Sequence, residues 1–216
     1  MPGHRPVQSK ICGLTTAATV DAALFGGASH IGFVFFGKSP RNIAPDQARA
    51  LAGRAGGRAR CVALFVNPDL ALVESVLAVV PVDVVQCHGD ESPAAIAAIK
   101  SATGKEVWKA IAVRTSADVQ AASTYHGAAD RILYDAKPPK GADLPGGNGL
   151  RFDWELLIGH QHALPWALSG GLDPANVGAA IAMTGAPMVD VSSGVECAPG
   201  VKDVDKIAAF LKAASS

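Results

Sequence analysis

Short runs of Val, Ile, Leu and Phe alternate along the chain with longer Ala-rich stretches whose apolar positions recur at helical spacing. The short runs predict strands at Val7–Ile11, His30–Phe35, Arg60–Phe65, Val82–Gln86, Glu106–Ala110, Arg131–Tyr134, Trp166–Leu168 and Met188–Val191. The longer stretches predict helices at Thr15–Phe25, Ala44–Ala55, Asp69–Val79, Pro93–Ser101, Ser116–Tyr125, Phe152–Ile158, Pro174–Thr184 and Asp203–Ala213. Punctuation agrees with this reading. Asp173 before Pro174 predicts an N-cap with proline at the first helical position, and Asn67-Pro68-Asp69 marks another helix start. Gly26-Gly27 closes the first helix, and Gly53 or Gly56-Gly57 the second.

Strand followed by helix, repeated, is the pattern of a parallel sheet with crossover helices. Eight such units leave about 27 residues each, near the smallest length that holds a strand, a crossover helix and two short loops. No GxGxxG opens a helix after the first strand, so an open dinucleotide-binding sheet fits poorly. The pattern predicts an α/β chain forming one (β/α)8 barrel domain over residues 1–216. One connection is long, Ala136–Arg151, and its Pro, Gly and Lys content reads as a mobile, functional loop.

Charge narrows the partners. The 19 basic and 19 acidic residues balance and no basic run is interleaved with aromatics, which excludes a nucleic-acid footprint and favours a small neutral or anionic ligand. Met1–Lys10 lacks the apolar stretch of a signal or transit peptide, and the Ala71–Val85 region is interrupted by Glu74, Pro81 and Asp83. A cytoplasmic protein without membrane association follows as the expectation. Its four cysteines would then be reduced; none lies in a zinc-ligand pattern, and Cys87-His88 is the single adjacent Cys/His pair.

Barrel enzymes carry their chemistry at the C-terminal ends of the strands. Gly/Ser turns follow strands seven and eight, at Ser169-Gly170-Gly171 and Ser192-Ser193-Gly194, where backbone N–H groups can cradle a phosphate; they can equally be simple strand ends. Cys12, at the mouth of strand one, either fills space or serves as a base, since Lys10 shares its face and would draw its pKa downward. Asp135 ends an apolar strand, where burial favours a protonated general acid; an N-cap or an ion pair with Lys137 is the alternative. Strands one and six lie three apart in a closed ring of eight, which puts Cys12 and Asp135 across the mouth from each other. Arg41, in a Ser-Pro-Arg turn, offers a fork for a bidentate carboxylate grip or is merely solubilising. His88 is a structural histidine or a substrate contact, and Asp190 accepts a hydrogen bond from substrate or orients its own turn.

These pieces together resemble phosphoribosylanthranilate isomerase over nearly the whole chain. The resemblance rests on Lys10-Ile11-Cys12-Gly13, Gly32-Phe33-Val34-Phe35 with Ser39-Pro40-Arg41, Val62–Asn67, Val85–Glu91 and Leu133-Tyr134-Asp135. It continues through Gly146–Gly149, Phe152-Asp153-Trp154, Ala167–Leu172, Val189–Glu196 and Pro199–Asp203. It implies an Amadori rearrangement of N-(5′-phosphoribosyl)anthranilate without cofactor or metal, by a monomer or, in some members, a homodimer. It also implies roles: Asp135 as general acid, Cys12 as general base, Arg41 holding the anthranilate carboxylate, Asp190 orienting substrate, and Gly170, Gly171, Ser192, Ser193 and Gly194 binding phosphate. Asn148 stands where the family commonly has threonine, and Cys87 where leucine is usual.

Three other readings share some of these features. Another phosphosugar barrel is one, although the histidine-pathway aminoaldose isomerase uses two aspartates where this chain has Cys12. A thiol hydrolase is another and would need His88 as its base. A barrel that binds a phosphorylated metabolite without turnover is the third.

Overall fold

The computed structural model describes residues 6–137 and 144–215. Residues 138–143 of the long loop, and 1–5 of the segment read for a leader, lie outside the described residues.

Eight parallel strands close into a barrel in chain order, β1 (Gln8–Cys12), β2 (His30–Phe35), β3 (Arg60–Phe65), β4 (Val84–Cys87), β5 (Glu106–Val113), β6 (Arg131–Ala136), β7 (Trp166–Leu168) and β8 (Met188–Val191). Closure is made by β1 pairing with β8, in the register Lys10 to Asp190. Helices α1 (Ala17–Phe25), α2 (Pro45–Ala55), α3 (Leu70–Leu77), α4 (Pro93–Thr103), α5 (Ser116–Ala121), α6 (Val177–Thr184) and α7 (Val204–Ala214) run between and after the strands. All eight predicted strands form within two or three residues of their expected limits. Among the described residues, no helix is long and apolar enough to cross a membrane.

Local chemistry explains the helix limits. Asp69 accepts from Leu72 N (2.8 Å) and caps α3, and Thr115 with Asp118 forms a capping box on α5. Gly56, not Gly53, ends α2, because it takes the left-handed conformation at φ 56° that closes a helix.

Two helical expectations change, and a segment with no expected element is structured. Phe152–Ile158 folds only as a single 3₁₀ turn at Trp154–Leu157, because Gly159 at φ 69° ends it while Phe152, Trp154 and Leu157 wedge into the core. α6 begins at Val177 rather than Pro174, since Asp173 uses its carboxylate in a local turn, accepting from Ala175 N (2.7 Å) and Asn176 N (3.0 Å). Beyond β8 the chain does not go straight into a helix. It makes a 3₁₀ turn at Ser193–Val195 and then a small antiparallel hairpin, β9 (Glu196–Ala198) and β10 (Val201–Lys202), whose corner is Pro199-Gly200.

Alternation along the strands sorts side chains into two cores. One lies between barrel and helices and includes Ile11, Ile31, Phe33, Phe65, Val85 and Val189. The other fills the barrel with Val62, Val84, Trp108, Ala110, Leu133, Ala167 and Met188, beneath a smaller layer of Cys12, Val34 and Leu64. Its floor is polar: Arg60 pairs with Glu106 (2.6 Å), Trp108 Nε1 donates to Glu106 (2.6 Å), and the Arg131 guanidinium lies 5.1 Å from the Trp108 ring centre. The top layer is therefore the one left open for chemistry.

Candidate active site

Above the Cys12, Val34 and Leu64 layer is a solvent-open cleft, with about 750 Å³ of empty space when the open solvent at its mouth is included. The C-terminal strand ends line it with Cys12 from β1, His88 beyond β4, Asp135 from β6, Ser169, Gly170 and Gly171 beyond β7, and Asp190, Ser192 and Ser193 from β8 and beyond. Arg41 reaches it from the turn after β2. Of the sequence-predicted residues, only Gly194 does not line it. Gly194 instead packs against the backbone of Leu172, where a Cβ has no room, and so holds the turn after β8 against the one after β7.

Asp135 is buried, and both of its oxygens accept: Oδ1 from Ala136 N (2.8 Å) and Oδ2 from His88 Nε2 (2.8 Å). The Gln86 side-chain amide lies 3.1 Å from His88 Nδ1, on the side of the ring away from Asp135. His88 thus has protein partners on both nitrogens and orients Asp135. Neither bland alternative for Asp135 occurs: it lies within β6, and Lys137 pairs with Asp118 at 3.3 Å. Gly170, at φ 83°, brings the β7 turn so close that a Cβ there would meet Ala136 N at 2.5 Å and Asp135 Oδ1 at 2.6 Å.

The expectation for Cys12 reverses. Burial pushes its thiol upward, Lys10 and Lys202 pull downward, and the nearby Asp190 charge adds to the upward push, leaving the thiol above its ordinary value. Lys10 fails to dominate because its Nζ is bound to Asp190 Oδ1 at 2.9 Å with both side chains buried. Burial alone would lower the Lys10 ammonium, but Asp190 and Cys12 outweigh it and hold the ammonium charged. Asp190 keeps a longer contact to Ser169 Oγ, 3.4 Å from Oδ2.

The expectation for Arg41 changes as well. It is buried at 5% exposure, which excludes a solubilising role, but its fork is occupied. Nε and Nη2 donate to Glu196 Oε1 (2.7 Å) and Oε2 (2.9 Å), and Nη2 also donates to Gly147 O (3.0 Å). Among the described residues Nη1 alone makes no hydrogen bond, so a bidentate grip on the Nε side is unavailable to a ligand.

Other cysteines stay out of the chemistry. Cys87 and His88 are successive residues and face opposite sides, Cys87 in the outer core and His88 in the cleft, so they cannot chelate one ion. Burial pushes the Cys61 thiol up to about 11 and that of Cys87 up to about 12. Among the described residues no three His, Cys, Asp or Glu side chains gather as metal ligands.

A thiol and a carboxyl at the mouth of a compact eight-stranded barrel, beside paired Gly/Ser turns, agree with what similarity to known proteins shows. Residues 9–213 match the family described as N-(5'phosphoribosyl)anthranilate (PRA) isomerase. The chain belongs to this family. It is 54% identical over 210 residues to the N-(5'-phosphoribosyl)anthranilate isomerase of Paracoccus denitrificans, covering 97% of this chain and 98% of the relative. With that of Paramagnetospirillum magneticum it shares 52% over 209 residues, covering 97% of each. Among solved structures, phosphoribosyl anthranilate isomerase from Thermotoga maritima superposes with a TM-score of 0.86 at 37% identity, over 96% of this chain and 98% of that one. A phosphoribosyl anthranilate isomerase in complex with reduced 1-(o-carboxyphenylamino)-1-deoxyribulose 5-phosphate superposes at 0.83 with 35% identity, over 96% and 98% of the two chains.

Around the cleft, the sequence reading gave no role to the side chains of Gln86, Ser169, Glu196 and Lys202, of which Ser169 alone lines it. Gln86 and Ser169 follow from alternation, since each lies two residues from an inward-facing neighbour, His88 and Ala167. Glu196 and Lys202 were signalled by opposite charges flanking a Pro-Gly corner, the mark of a hairpin.

Proposed function

We propose that the chain catalyses the Amadori rearrangement of N-(5′-phosphoribosyl)anthranilate to 1-(2-carboxyphenylamino)-1-deoxyribulose 5-phosphate, a step of tryptophan biosynthesis. One observation carries the assignment of roles: Cys12 and Asp135, three strands apart in the ring, line one cleft with the two Gly/Ser turns beside them. Asp135, oriented by His88, protonates the ribose ring oxygen, and the ring opens to a Schiff base. The Cys12 thiolate then takes the C2′ proton, giving an enolamine that tautomerises to the aminoketone.

The raised thiol suits that step. A group that holds its proton tightly is a stronger base towards carbon, so the rarer thiolate is the more competent one. Lys10 and Lys202 favour the charged sulfur and keep it attainable. Asp190 orients the substrate, and Arg41 faces the anthranilate carboxylate through Nη1. The turns at Gly170-Gly171 and Ser192-Ser193, braced by Gly194, bind the phosphate through backbone N–H groups. The residues need no cofactor or metal for this chemistry. Residues 1–216 act as one barrel domain, in the cytoplasm and as a monomer; sedimentation distinguishes that from a homodimer.

The test is loss of substrate fluorescence on adding purified protein. Turnover is expected, and its absence in folded protein would reduce the chain to a binder of phosphorylated metabolites.

A further inference from the structure

The hairpin β9–β10 carries two charged side chains whose bonding capacity is fully used. Glu196 Oε1 accepts from Arg41 Nε (2.7 Å) and Lys202 Nζ (2.7 Å), while Oε2 accepts from Arg41 Nη2 (2.9 Å) and Gly200 N (3.2 Å). A carboxylate has about four acceptor sites, so none remains for a ligand. Lys202 Nζ has three protons and three partners: Glu196 Oε1, Ser192 O (2.8 Å) and Ser192 Oγ (3.1 Å). Ser192 Oγ in turn donates to Cys12 O at 3.2 Å.

The side chains of this chain of contacts are all but sealed from water, with 6% exposure for Arg41, 5% for Glu196 and 0% for Lys202. Burial of that kind is tolerable only because every charge is paired and bonded. The arrangement is also wedged: a Cβ on Gly13 would meet Arg41 Cδ at 2.8 Å, and one on Gly147 would meet Nη1 at 2.5 Å. Arg41 has one usable orientation, with Nη1 as its remaining donor group.

We propose that Glu196 and Lys202 are positioning residues that set the spacing between the two anion-binding ends of the site, Arg41 at one end and the Ser192 turn at the other. Neither touches substrate. Together they tie a guanidinium contributed after β2 to a turn contributed after β8, so a ligand with a carboxylate and a phosphate at the matching separation meets both without reorganising either. The inference rests on the reading that Arg41 faces the substrate carboxylate.

The sign of the effect separates positioning from simple charge. Glu196→Gln preserves shape but makes the pocket more positive, which on Coulomb grounds alone would tighten anion binding. Positioning predicts the opposite: KM rises by about tenfold while kcat stays within about twofold, as expected when binding shared by ground and transition states is lost. Lys202→Met should raise KM similarly and weaken competitive inhibition by inorganic phosphate, and it should lower kcat as well because Lys202 also favours the Cys12 thiolate. The double variant should be no worse than the poorer single variant, because both break one chain.

An unchanged or lowered KM in Glu196→Gln would overturn the proposal. So would a loss of activity that follows loss of folded protein by circular dichroism, with KM of the remainder unaltered. Arg41→Ala separates the two readings: if it leaves KM unchanged, the carboxylate assignment itself fails. If Arg41→Ala raises KM and Glu196→Gln does not, only the positioning role fails.

Discussion

Lys10 Nζ lies 2.9 Å from Asp190 Oδ1, with the lysine side chain at 0% and the aspartate at 5% exposure. The pair sits across the strand junction that closes the barrel, where Lys10 and Asp190 are register partners. It joins fold to site, since Lys10 lies one inward position below Cys12 and Asp190 lines the cleft. Removing one member strands the other charge in the interior. Lys10→Met should therefore destabilise the protein by about 3–5 kcal/mol, and adding Asp190→Asn should restore part of that loss. Thermal unfolding of both variants measures it; equal losses in single and double variants would refute the coupling.

Cys12→Ser and Asp135→Asn should each lower kcat by about two to four orders of magnitude with the fold intact. Cys12→Ser replaces the thiol with a hydroxyl that does not ionise near neutral pH, and Asp135→Asn retains the shape facing His88 but has no proton to give. Steady-state turnover by fluorescence decides, and near-normal activity in either variant would remove that residue from the mechanism.

The raised Cys12 thiol has a kinetic consequence. The thiolate is the form that reacts with iodoacetamide, so below the thiol pKa the log rate of Cys12 alkylation should climb about one unit per pH unit, through neutrality and past about 8.5, the value of a free thiol. A plateau already reached at pH 7 would mean that the lysines outweigh burial.

Gly170→Ala should damage catalysis more than stability. The new methyl would press on Ala136 N and Asp135 Oδ1 from a residue at φ 83°. The strain costs about 1–3 kcal/mol, and the displaced group is the proposed acid. The check is kcat against melting temperature: a fall in melting temperature with unaltered kcat would show that the turn yields without moving Asp135.

His30 should be one source of acid sensitivity, beside His162, whose imidazole is held down to about 4 by burial. His30 lies 2% exposed on the barrel floor against Trp108, with rings 5.0 Å apart, and burial, helped by Arg60, Arg131 and Lys10, pushes its pKa down to about 3. An unfolded chain has this imidazole near 6.5, so between about pH 6.5 and 3 the unfolded state binds the extra proton. The stabilisation is complete above the upper limit and is lost as pH falls through the window. His30→Phe, which cannot titrate, should flatten melting temperature against pH over that interval; an unchanged slope would assign acid sensitivity elsewhere.

Much of the fold was legible without coordinates, for a local reason. Strand identity, helix spacing and inward or outward facing depend on neighbours within a few residues, so the eight strands and the inward placement of Cys12, His88, Asp135 and Asp190 follow from periodicity. The segment at Phe152–Ile158 misled because a short apolar cluster near a glycine is compatible with one turn or with two. The hairpin at Glu196–Lys202 was overlooked although its Pro-Gly corner was visible.

What only the tertiary structure decided are partnerships and their electrostatic outcome. Arg41 meets Glu196 across 155 residues of chain, and Lys10 meets Asp190 across 180. Spacing along a sequence carries no information about such contacts, because they exist only once the ring closes. The direction of the Cys12 shift is of the same kind: burial sums over everything packed around the sulfur, and it overrode the one adjacent charge that the local pattern revealed.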